Sequence, residues 1–231
     1  YYYTGMLAKL MSDMGINVNF APNVDVALNP NNPVIAKVER SYSDSPKKVA
    51  THALVSISAH HYYGVKTVIK HFPGHGSSMT DSHLGITDVT KQWDESELIP
   101  FREIINSGQC DAIMTAHIVN RNLDDSSLPA TMSKKIVTDL LRVKFGFNGV
   151  VFSDDMQMYA ISKNYGIENA IKSSINAGVD VLLFGNNVNV SDRITATEIH
   201  AIISKMVQSG EISELRINES FDRIMALKKK K

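Results

Sequence analysis

The sequence predicts an α/β fold, and within that class a (β/α)8 barrel. Short runs rich in Val and Ile are apolar on both faces, which is typical of buried parallel strands. Longer helical stretches alternate with these runs, and a glycine stands between helix and following strand at each junction. This alternation indicates βα units arranged around a parallel sheet.

The individual elements are predicted from apolar periodicity and from residues typical of helix ends. Strands are expected at 18–21, 66–72, 112–116, 150–153 and 181–184. Helices are expected at 4–14, 47–62, 96–107, 133–144, 165–177, 192–208 and 218–229. Ser45 followed by Pro46 indicates the start of the second helix, and Asp94 is the expected N-cap of the third.

Two architectures are built from such units, an open doubly wound sheet and a (β/α)8 barrel. An open nucleotide-binding sheet should carry a glycine-rich phosphate loop, and neither G-x-G-x-x-G nor G-x-x-x-x-G-K-[ST] occurs here. Polar residues instead follow several strands, whose carboxyl ends meet on one face of a barrel. We therefore predict one barrel domain over residues 1–231, with about three of the eight strands expected upstream of Tyr1.

Composition argues against several classes of function. Lys plus Arg and Asp plus Glu both number 24, so neither nucleic acid nor an anionic membrane is indicated as a partner. The basic run 228–231 is interpreted as a solvated helix end. The single cysteine, Cys110, permits no disulfide within the chain. No apolar stretch approaches the roughly 18 residues that span a bilayer.

The second predicted strand leads into a histidine-rich loop. Lys70 and His71 close the strand, and a glycine-rich turn leads to His75, Asp81 and His83. Because Asp81 and His83 flank one serine, their side chains can form a hydrogen bond that fixes the imidazole tautomer and raises its basicity. We interpret this pair as a group for proton transfer.

The fourth predicted strand leads into a pair of carboxylates. Asp154 and Asp155 follow the apolar run 150–152. The first residue beyond a barrel strand tends to point into the barrel mouth, where an aspartate can attack an anomeric carbon and form a covalent glycosyl intermediate. The alternative is that the pair caps the next helix, which applies more to Asp155 than to Asp154.

A metal site is the main alternative interpretation of the histidine-rich loop. His71, His75, Asp81 and His83 all have side chains that bind zinc in other hydrolases. Their spacing, H-x3-H-x7-H for the histidines, matches no standard zinc signature. We expect no metal and no other cofactor.

These motifs resemble those of glycoside hydrolase family 3, in its β-N-acetylglucosaminidase branch. Residues 70–76 read K-H-F-P-G-H-G and continue to D-S-H at 81–83, and residues 152–156 read F-S-D-D-M. Further similar segments lie at 21–25, 40–43, 114–117 and 176–180. The resemblance covers nearly the whole chain, and the long histidine-bearing motif is its most specific part.

The resemblance implies a role for each motif residue. Asp154 would be the nucleophile of a retaining glycosidase. His83, oriented by Asp81, would be the acid/base in place of the second carboxylate that most such enzymes use. The residues implied in substrate binding are Lys70, His71, Arg40 and Asp25.

The histidine-bearing loop also implies a substrate class. Related β-glucosidases of the family usually lack this loop, so amino-sugar substrates are expected. These would be N-acetylglucosaminyl-anhydromuramyl peptidoglycan fragments or short chitin-type oligosaccharides. The expected compartment is the bacterial cytoplasm, or an exported location if a signal precedes Tyr1.

One segment of the family pattern is absent. The upstream sugar-binding loop, roughly of the form D-Q-E-G-G-R, does not occur, and a barrel lacking its first strands would expose two strand edges. Two other functions therefore stay open: a metal-dependent barrel hydrolase, which a chelator would inactivate, and a sugar-binding fragment without catalysis. The oligomeric state and the presence of a further C-terminal domain are not predicted.

Overall fold

A curled parallel sheet packed against helices forms the centre of the molecule. The computed structural model describes residues 1–82 and 85–229. The strands are β1 (Val18–Asn19), β2 (Lys66–Phe72), β3 (Thr87–Asp88), β4 (Ala112–Thr115), β5 (Ile118–Val119), β6 (Val150–Asp155) and β7 (Val181–Leu183). The main sheet has five strands in the order β1-β2-β4-β6-β7, and β3 pairs with β5 in a second, small sheet.

Helices alternate with the strands of the main sheet. The α-helices are α1 (Tyr2–Asp13), α2 (Pro46–Tyr62), α3 (Ile99–Asn106), α4 (Tyr159–Tyr165), α5 (Ile167–Ala177), α6 (Ala196–Gln208) and α7 (Glu214–Lys229). Short 3-10 turns lie at Glu95–Leu98, Ala130–Met132 and Val190–Asp192, and a π-helix lies at Lys135–Lys144. Among the helices of the described residues, none has both the length and the apolar character needed to cross a bilayer.

Each main-sheet strand lies beside the next main-sheet strand in the chain, and all pairs are parallel. This succession is that of a barrel wall, and the described residues form half of one. The α/β class of the prediction is confirmed. The complete eight-stranded barrel stays a prediction.

The strands predicted for the main sheet are present, although some of their ends differ. The first strand ends at Asn19 rather than at residue 21. The fourth extends to Asp155, because Asp155 still pairs with Leu183 after a shift of register. The carboxylate pair therefore belongs to the end of β6 and does not follow the strand, as the apolar run alone had predicted.

The helix predicted at 165–177 is two helices. Gly166 turns the chain between α4 and α5 with a φ of 70°, a left-handed value that glycine adopts without strain. The helix expected at 192–208 starts later, because Thr195 and Glu198 form a reciprocal capping box at its amino end.

The strands of the main sheet are buried on both faces. Ile69, Ile113 and Val151 point toward the helices and belong to the largest core cluster. Their neighbours Val68 and Met114 point the other way, into a second cluster that includes residues of α7. This alternation follows from the period of two residues in a strand, and it explains why the runs read as apolar throughout.

A buried aspartate at the amino end of β7 joins the sheet to α7. The carboxylate of Asp180 accepts hydrogen bonds from Arg142 Nη2 at 2.6 Å, Arg216 Nη2 at 3.0 Å and Arg223 Nη1 at 3.1 Å. The Ser220 hydroxyl donates to it at 2.8 Å. Because α7 supplies three of these four donors, Asp180 holds the last helix against the sheet at the end remote from the polar strand ends.

Candidate active site

The carboxyl edge of the sheet brings together residues that are far apart in the sequence. Lys70 and His71 lie near the end of β2, and Asp154 lies near the end of β6. After β1, a bridge between Asn23 and Lys70 carries Asp25 to the same edge. Since parallel strands end on one side, these groups share one site.

Asp25 is a buried carboxylate of this site, with 1% of its surface exposed. Its Oδ1 accepts the backbone N–H groups of His71 at 3.1 Å and His75 at 2.8 Å, and its Oδ2 lies 2.7 Å from His71 Nδ1. Burial alone would raise the pKa of Asp25, but the charge and hydrogen bonds of His71, together with His75, outweigh it and hold the pKa at about 2.

An ionised Asp25 can only accept hydrogen bonds, so His71 Nδ1 carries a proton and the orientation of this ring is set. Both oxygens of the Asp25 carboxylate thus accept hydrogen bonds from groups of His71 and His75. The geometry gives Asp25 an orienting role toward His71. Its direct contact with a substrate stays a prediction.

Lys70 and Arg40 form the cationic side of the site. Lys70 is largely buried, and burial, followed by the nearby charge of Arg40, lowers the pKa of its ammonium group. The carboxylates of Asp154 and Asp25 act in the opposite direction. Arg40 donates from Nη1 to the carbonyl of Val34 at 3.0 Å, a hydrogen bond within the long loop between β1 and α2 that fixes the position of the guanidinium group.

Asp154 is largely buried among positively charged or polar neighbours. Its Oδ1 accepts the backbone N–H of Asp155 at 2.8 Å. Burial would raise the pKa of Asp154, but His71, His117, this hydrogen bond and Lys70 together lower it below its ordinary value. Asp154 is therefore ionised at neutral pH, as a nucleophilic carboxylate must be.

Asp155 faces away from Asp154 and supports two loops. Its Oδ1 accepts the backbone N–H of Gln157 at 3.0 Å and that of Gly185, after β7, at 3.2 Å. The alternative that Asp155 caps the next helix is wrong, because the N-cap of α4 is Met158. Successive residues of a strand point to opposite sides, which explains why the two neighbouring carboxylates differ in role.

The predicted acid/base pair is only partly described. Asp81 is half-buried and precedes the buried Ser82. His83 lies outside the described residues. The hydrogen bond expected between Asp81 and His83 therefore stays a prediction.

His75 is an internal support of the loop that leads to Asp81. Its Nδ1 lies 2.6 Å from the hydroxyl of Ser78, and its Nε2 lies 2.9 Å from that of Ser82. Burial lowers the pKa of His75 to about 4, so the ring is neutral. Both nitrogens are engaged within the protein. Over residues 1–82 and 85–229, no three His, Cys, Asp or Glu side chains are grouped as a metal site.

Glu97 lies directly beneath the same loop and is fully buried. Its Oε2 accepts the backbone N–H of Gly76 at 2.7 Å. A Cβ atom on Gly74 would lie 2.6 Å from the Cβ of Glu97, and one on Gly76 would lie 1.6 Å from the carbonyl oxygen of Val26. The close approach of loop, glutamate and neighbouring backbone thus requires glycine at both positions.

Burial raises the pKa of Glu97 to about 8, whereas its ordinary value is 4.5. We expect the parent protein to lose stability as the pH rises, and we expect Glu97→Gln to remove this loss. As pH rises from about 4.5 to 8, the unfolded chain loses this proton while the folded chain retains it. The free energy of unfolding should therefore fall over this interval, by roughly 2–5 kcal/mol. The glutamine side chain of the variant keeps the acceptor for Gly76 but has no proton to lose.

Urea unfolding at pH 5, 6, 7 and 8 measures this difference. The stability of Glu97→Gln relative to the parent should increase steadily with pH. Glu103→Gln, at an exposed position of α3, serves as the control and should follow the parent. Parallel curves for the parent and Glu97→Gln would contradict a buried, protonated Glu97.

Two buried residues of this site, Glu97 and His117, were not predicted from the sequence. Glu97 lies three residues after the N-cap Asp94, which accepts the backbone N–H of Ser96 at 2.8 Å as expected of a cap. No local pattern marks Glu97 itself, because its burial depends on a loop distant in sequence. His117 follows the end of β4, and this strand-end position was the signal that could have identified it.

A parallel α/β sheet with an ionised carboxylate between basic side chains at its carboxyl edge is typical of barrel-type sugar hydrolases. The chain belongs to glycoside hydrolase family 3, since the family model described as the glycosyl hydrolase family 3 N terminal domain matches residues 1–227. The family resemblance of the motifs is thereby confirmed.

Named relatives agree with this assignment. Beta-hexosaminidase A of Pseudoalteromonas piscicida is 37% identical over 238 residues, which cover 97% of this chain and 40% of that protein. A beta-hexosaminidase of Tolumonas auensis is 41% identical over 185 residues, covering 79% and 53% respectively. The chain thus spans about half the length of these relatives.

Solved structures are similar over nearly the whole chain. A glycoside hydrolase family 3 beta-N-acetylglucosaminidase from Paenibacillus has a TM-score of 0.87 and 37% identity, covering 97% of this chain and 42% of that one. A beta-N-acetylhexosaminidase from Beutenbergia cavernae has a TM-score of 0.88 and 28% identity, covering 97% and 66% respectively.

Proposed function

We propose that the chain carries the catalytic site of a retaining β-N-acetylhexosaminidase. The observation that carries this proposal is the ionised, largely buried Asp154 beside Lys70 and the His71–Asp25 pair. The names of the relatives and of the solved structures support an amino sugar as the substrate. The reaction would remove a non-reducing terminal β-N-acetylglucosamine.

In the first step, Asp154 attacks the anomeric carbon of the bound sugar. A bond forms between a carboxylate oxygen and this carbon while the glycosidic C–O bond breaks. The leaving oxygen takes a proton from the His83 imidazolium, which Asp81 stabilises. The products are a covalent glycosyl ester on Asp154, a neutral His83 and the released alcohol.

In the second step, water attacks the same carbon. Neutral His83 accepts a proton from this water, the ester bond to Asp154 breaks, and Asp154 regains its charge. The imidazole suits both steps, because it is a competent base once the nearby Asp154 has lost its charge in the intermediate. Each step balances in protons, and the site returns to its starting state.

The basic residues bind the sugar and keep Asp154 reactive. Lys70, His71 and Arg40 would donate hydrogen bonds to sugar hydroxyls. Lys70 and His71 also lower the pKa of Asp154, which keeps it ionised before the attack. A substrate lying across these donors would have its anomeric carbon held close to the nucleophile.

The finer substrate and fold assignments extend the same proposal. We infer that the natural substrates are peptidoglycan fragments or short amino-sugar oligosaccharides, in a bacterial cytoplasm or exported from it. We also infer that the five-stranded sheet is part of a (β/α)8 barrel. The succession of neighbouring parallel strands and the similarity to solved family structures support this.

Release of 4-nitrophenol from its β-N-acetylglucosaminide and its β-glucoside tests the proposed activity. We expect turnover of the first substrate, a much lower rate with the second, and no effect of a chelator. Loss of activity with chelator would favour a metal-dependent hydrolase instead. Binding of N-acetylglucosamine without release of 4-nitrophenol would favour a sugar-binding fragment.

His83→Ala tests the proton transfer within the same assay. We expect turnover of chitobiose to fall by about 10²–10⁴-fold, because its leaving group is poor and needs a proton. The glycosylation rate with a nitrophenyl leaving group should fall less, because this group can leave without a proton. His200→Ala, at an exposed position of α6, is the control and should retain parent rates. Equal loss in glycosylation of both substrates would contradict an acid role for His83.

A further inference from the structure

We propose that His117 is a positioning residue that holds the nucleophile Asp154 in place through the backbone of Asp155. The inference rests on the proposed function. His117 follows the carboxyl end of β4, next to the carboxyl end of β6. Its side chain is buried and joins these two strand ends. It therefore affects the site through the protein backbone and not by contact with a sugar.

The hydrogen bonds of His117 define its tautomer. Nε2 lies 3.0 Å from the carbonyl oxygen of Asp155, and Nδ1 lies 2.9 Å from the hydroxyl of Thr131. A carbonyl only accepts, so Nε2 carries the proton. Burial lowers the pKa of His117, so the ring is neutral and Nδ1 accepts from Thr131.

A buried network of hydroxyls supports this tautomer. The Thr131 hydroxyl has one proton, whose acceptors are His117 Nδ1 and, at 3.1 Å, the carbonyl oxygen of Ala116. The hydroxyl of Thr115 lies 2.8 Å from that of Thr131 and donates to it. Thr115, Thr131 and His117 are all buried, with at most 1% of their surface exposed. A buried polar atom without a hydrogen-bond partner lowers the stability of the fold. The imidazole is therefore held in the one orientation in which both of its nitrogens are paired.

The network reaches the nucleophile through a single residue. The backbone N–H of Asp155 donates to Asp154 Oδ1 at 2.8 Å, and the carbonyl of Asp155 accepts from His117. Asp155 is thus held at both of its backbone polar groups. Without the donor on His117, this carbonyl retains the backbone N–H of Met158 at 3.0 Å but loses its link to the end of β4. The backbone at Asp155 can then shift and move the N–H that orients Asp154. A displacement of about 1 Å at a reacting group can lower a rate by about 10²-fold.

Two substitutions test whether the Nε2 donor of His117, and not the rest of its side chain, is what positions Asp154. The amide nitrogen of His117→Gln can take the position of Nε2, whereas the shorter amide of His117→Asn lies near Nδ1 and cannot reach Asp155. We expect kcat for the 4-nitrophenyl β-N-acetylglucosaminide to fall by about 10²-fold in the Asn variant, with KM within about twofold. The Gln variant should retain kcat within about tenfold of the parent.

Asp111→Asn is the matched control for loss of a buried polar contact. Asp111 precedes β4 at the opposite end of the strand, is buried, and accepts the backbone N–H of Thr67 at 3.0 Å. We expect this variant to lose stability, as His117→Asn does, while kcat per folded molecule stays at the parent value. A common loss of kcat in both variants would overturn the positioning role.

Thr131→Val provides the test if His117→Asn does not fold. Removal of this hydroxyl leaves Nδ1 without its donor, and we expect kcat to fall by about tenfold with KM unchanged. Thr131→Ser should restore kcat. Parent values of kcat in Thr131→Val, or in a folded His117→Asn, would overturn this inference.

Asp154→Ala separates this inference from the proposed function. If Asp154→Ala retains the turnover of the parent, or the parent has none, the proposed function fails and the inference fails with it. If Asp154→Ala is inactive while both His117 variants match the parent, only the role of His117 is overturned.

Discussion

Asp154→Asn is expected to lower kcat for the 4-nitrophenyl β-N-acetylglucosaminide by at least about 10³-fold, because a neutral amide cannot form the glycosyl ester. The fold should remain, since the amide oxygen can still accept the backbone N–H of Asp155 that Asp154 Oδ1 accepts at 2.8 Å. We expect the free energy of unfolding to change by no more than about 1–2 kcal/mol. Steady-state kinetics and urea unfolding of the same preparations measure both quantities.

Asp139→Asn is the control for this substitution. Asp139 occupies an exposed position on the π-helix, so the same chemical change there should leave kcat at the parent value. A folded Asp154→Asn protein with more than about one tenth of the parent kcat would contradict a nucleophilic role. The ester could then form only on another residue, and the assignment of the site would have to change.

Asp180→Asn is expected to lower the free energy of unfolding by about 3–5 kcal/mol, the usual effect of removing one partner from a buried ion pair. Arg142, Arg216 and Arg223 all donate to this carboxylate. Without its charge they remain partly buried and repel one another. Urea or thermal unfolding measures the loss, and salt should reduce it because anions screen the arginines.

Asp222→Asn separates this effect from a general change of charge on α7. Asp222 lies on the same helix at an exposed position, and its substitution should change stability by less than about 0.5 kcal/mol. If Asp180→Asn behaves in the same way, the arginine cluster contributes little and α7 is held mainly by its apolar contacts. Activity per folded molecule should be unchanged in either variant, because Asp180 lies at the amino end of β7.

The sequence by itself determined the strands of the main sheet and the class of the fold. Residues such as Val68 and Ile69 are apolar on both sides of a strand, and this local pattern exists only where both faces of a sheet are covered. It also determined which strand ends carry chemistry. Lys70, His71 and Asp154 could be selected because polar residues at the carboxyl ends of apolar strands must lie at the carboxyl edge of the sheet.

Some local features escaped the same reasoning. β6 extends to Asp155 because of its pairing with Leu183, and Gly166 divides a predicted helix at a residue with positive φ. The π-helix at Lys135–Lys144 has the apolar spacing of an ordinary helix, so its wider turns were not predicted. Each of these features depends on partners or backbone angles that a periodicity of apolar residues does not encode.

Only the tertiary structure decided how the site residues act on one another. Asp25 orients His71, Glu97 holds its proton beneath the loop of Gly76, and His117 joins β4 to the end of β6. Hydrogen-bond partners and loss of solvent set the charge and tautomer of each group, and both come from chain segments distant in sequence. The family and its candidate residues were therefore readable from local motifs, whereas the protonation states that the chemistry requires arise from long-range packing.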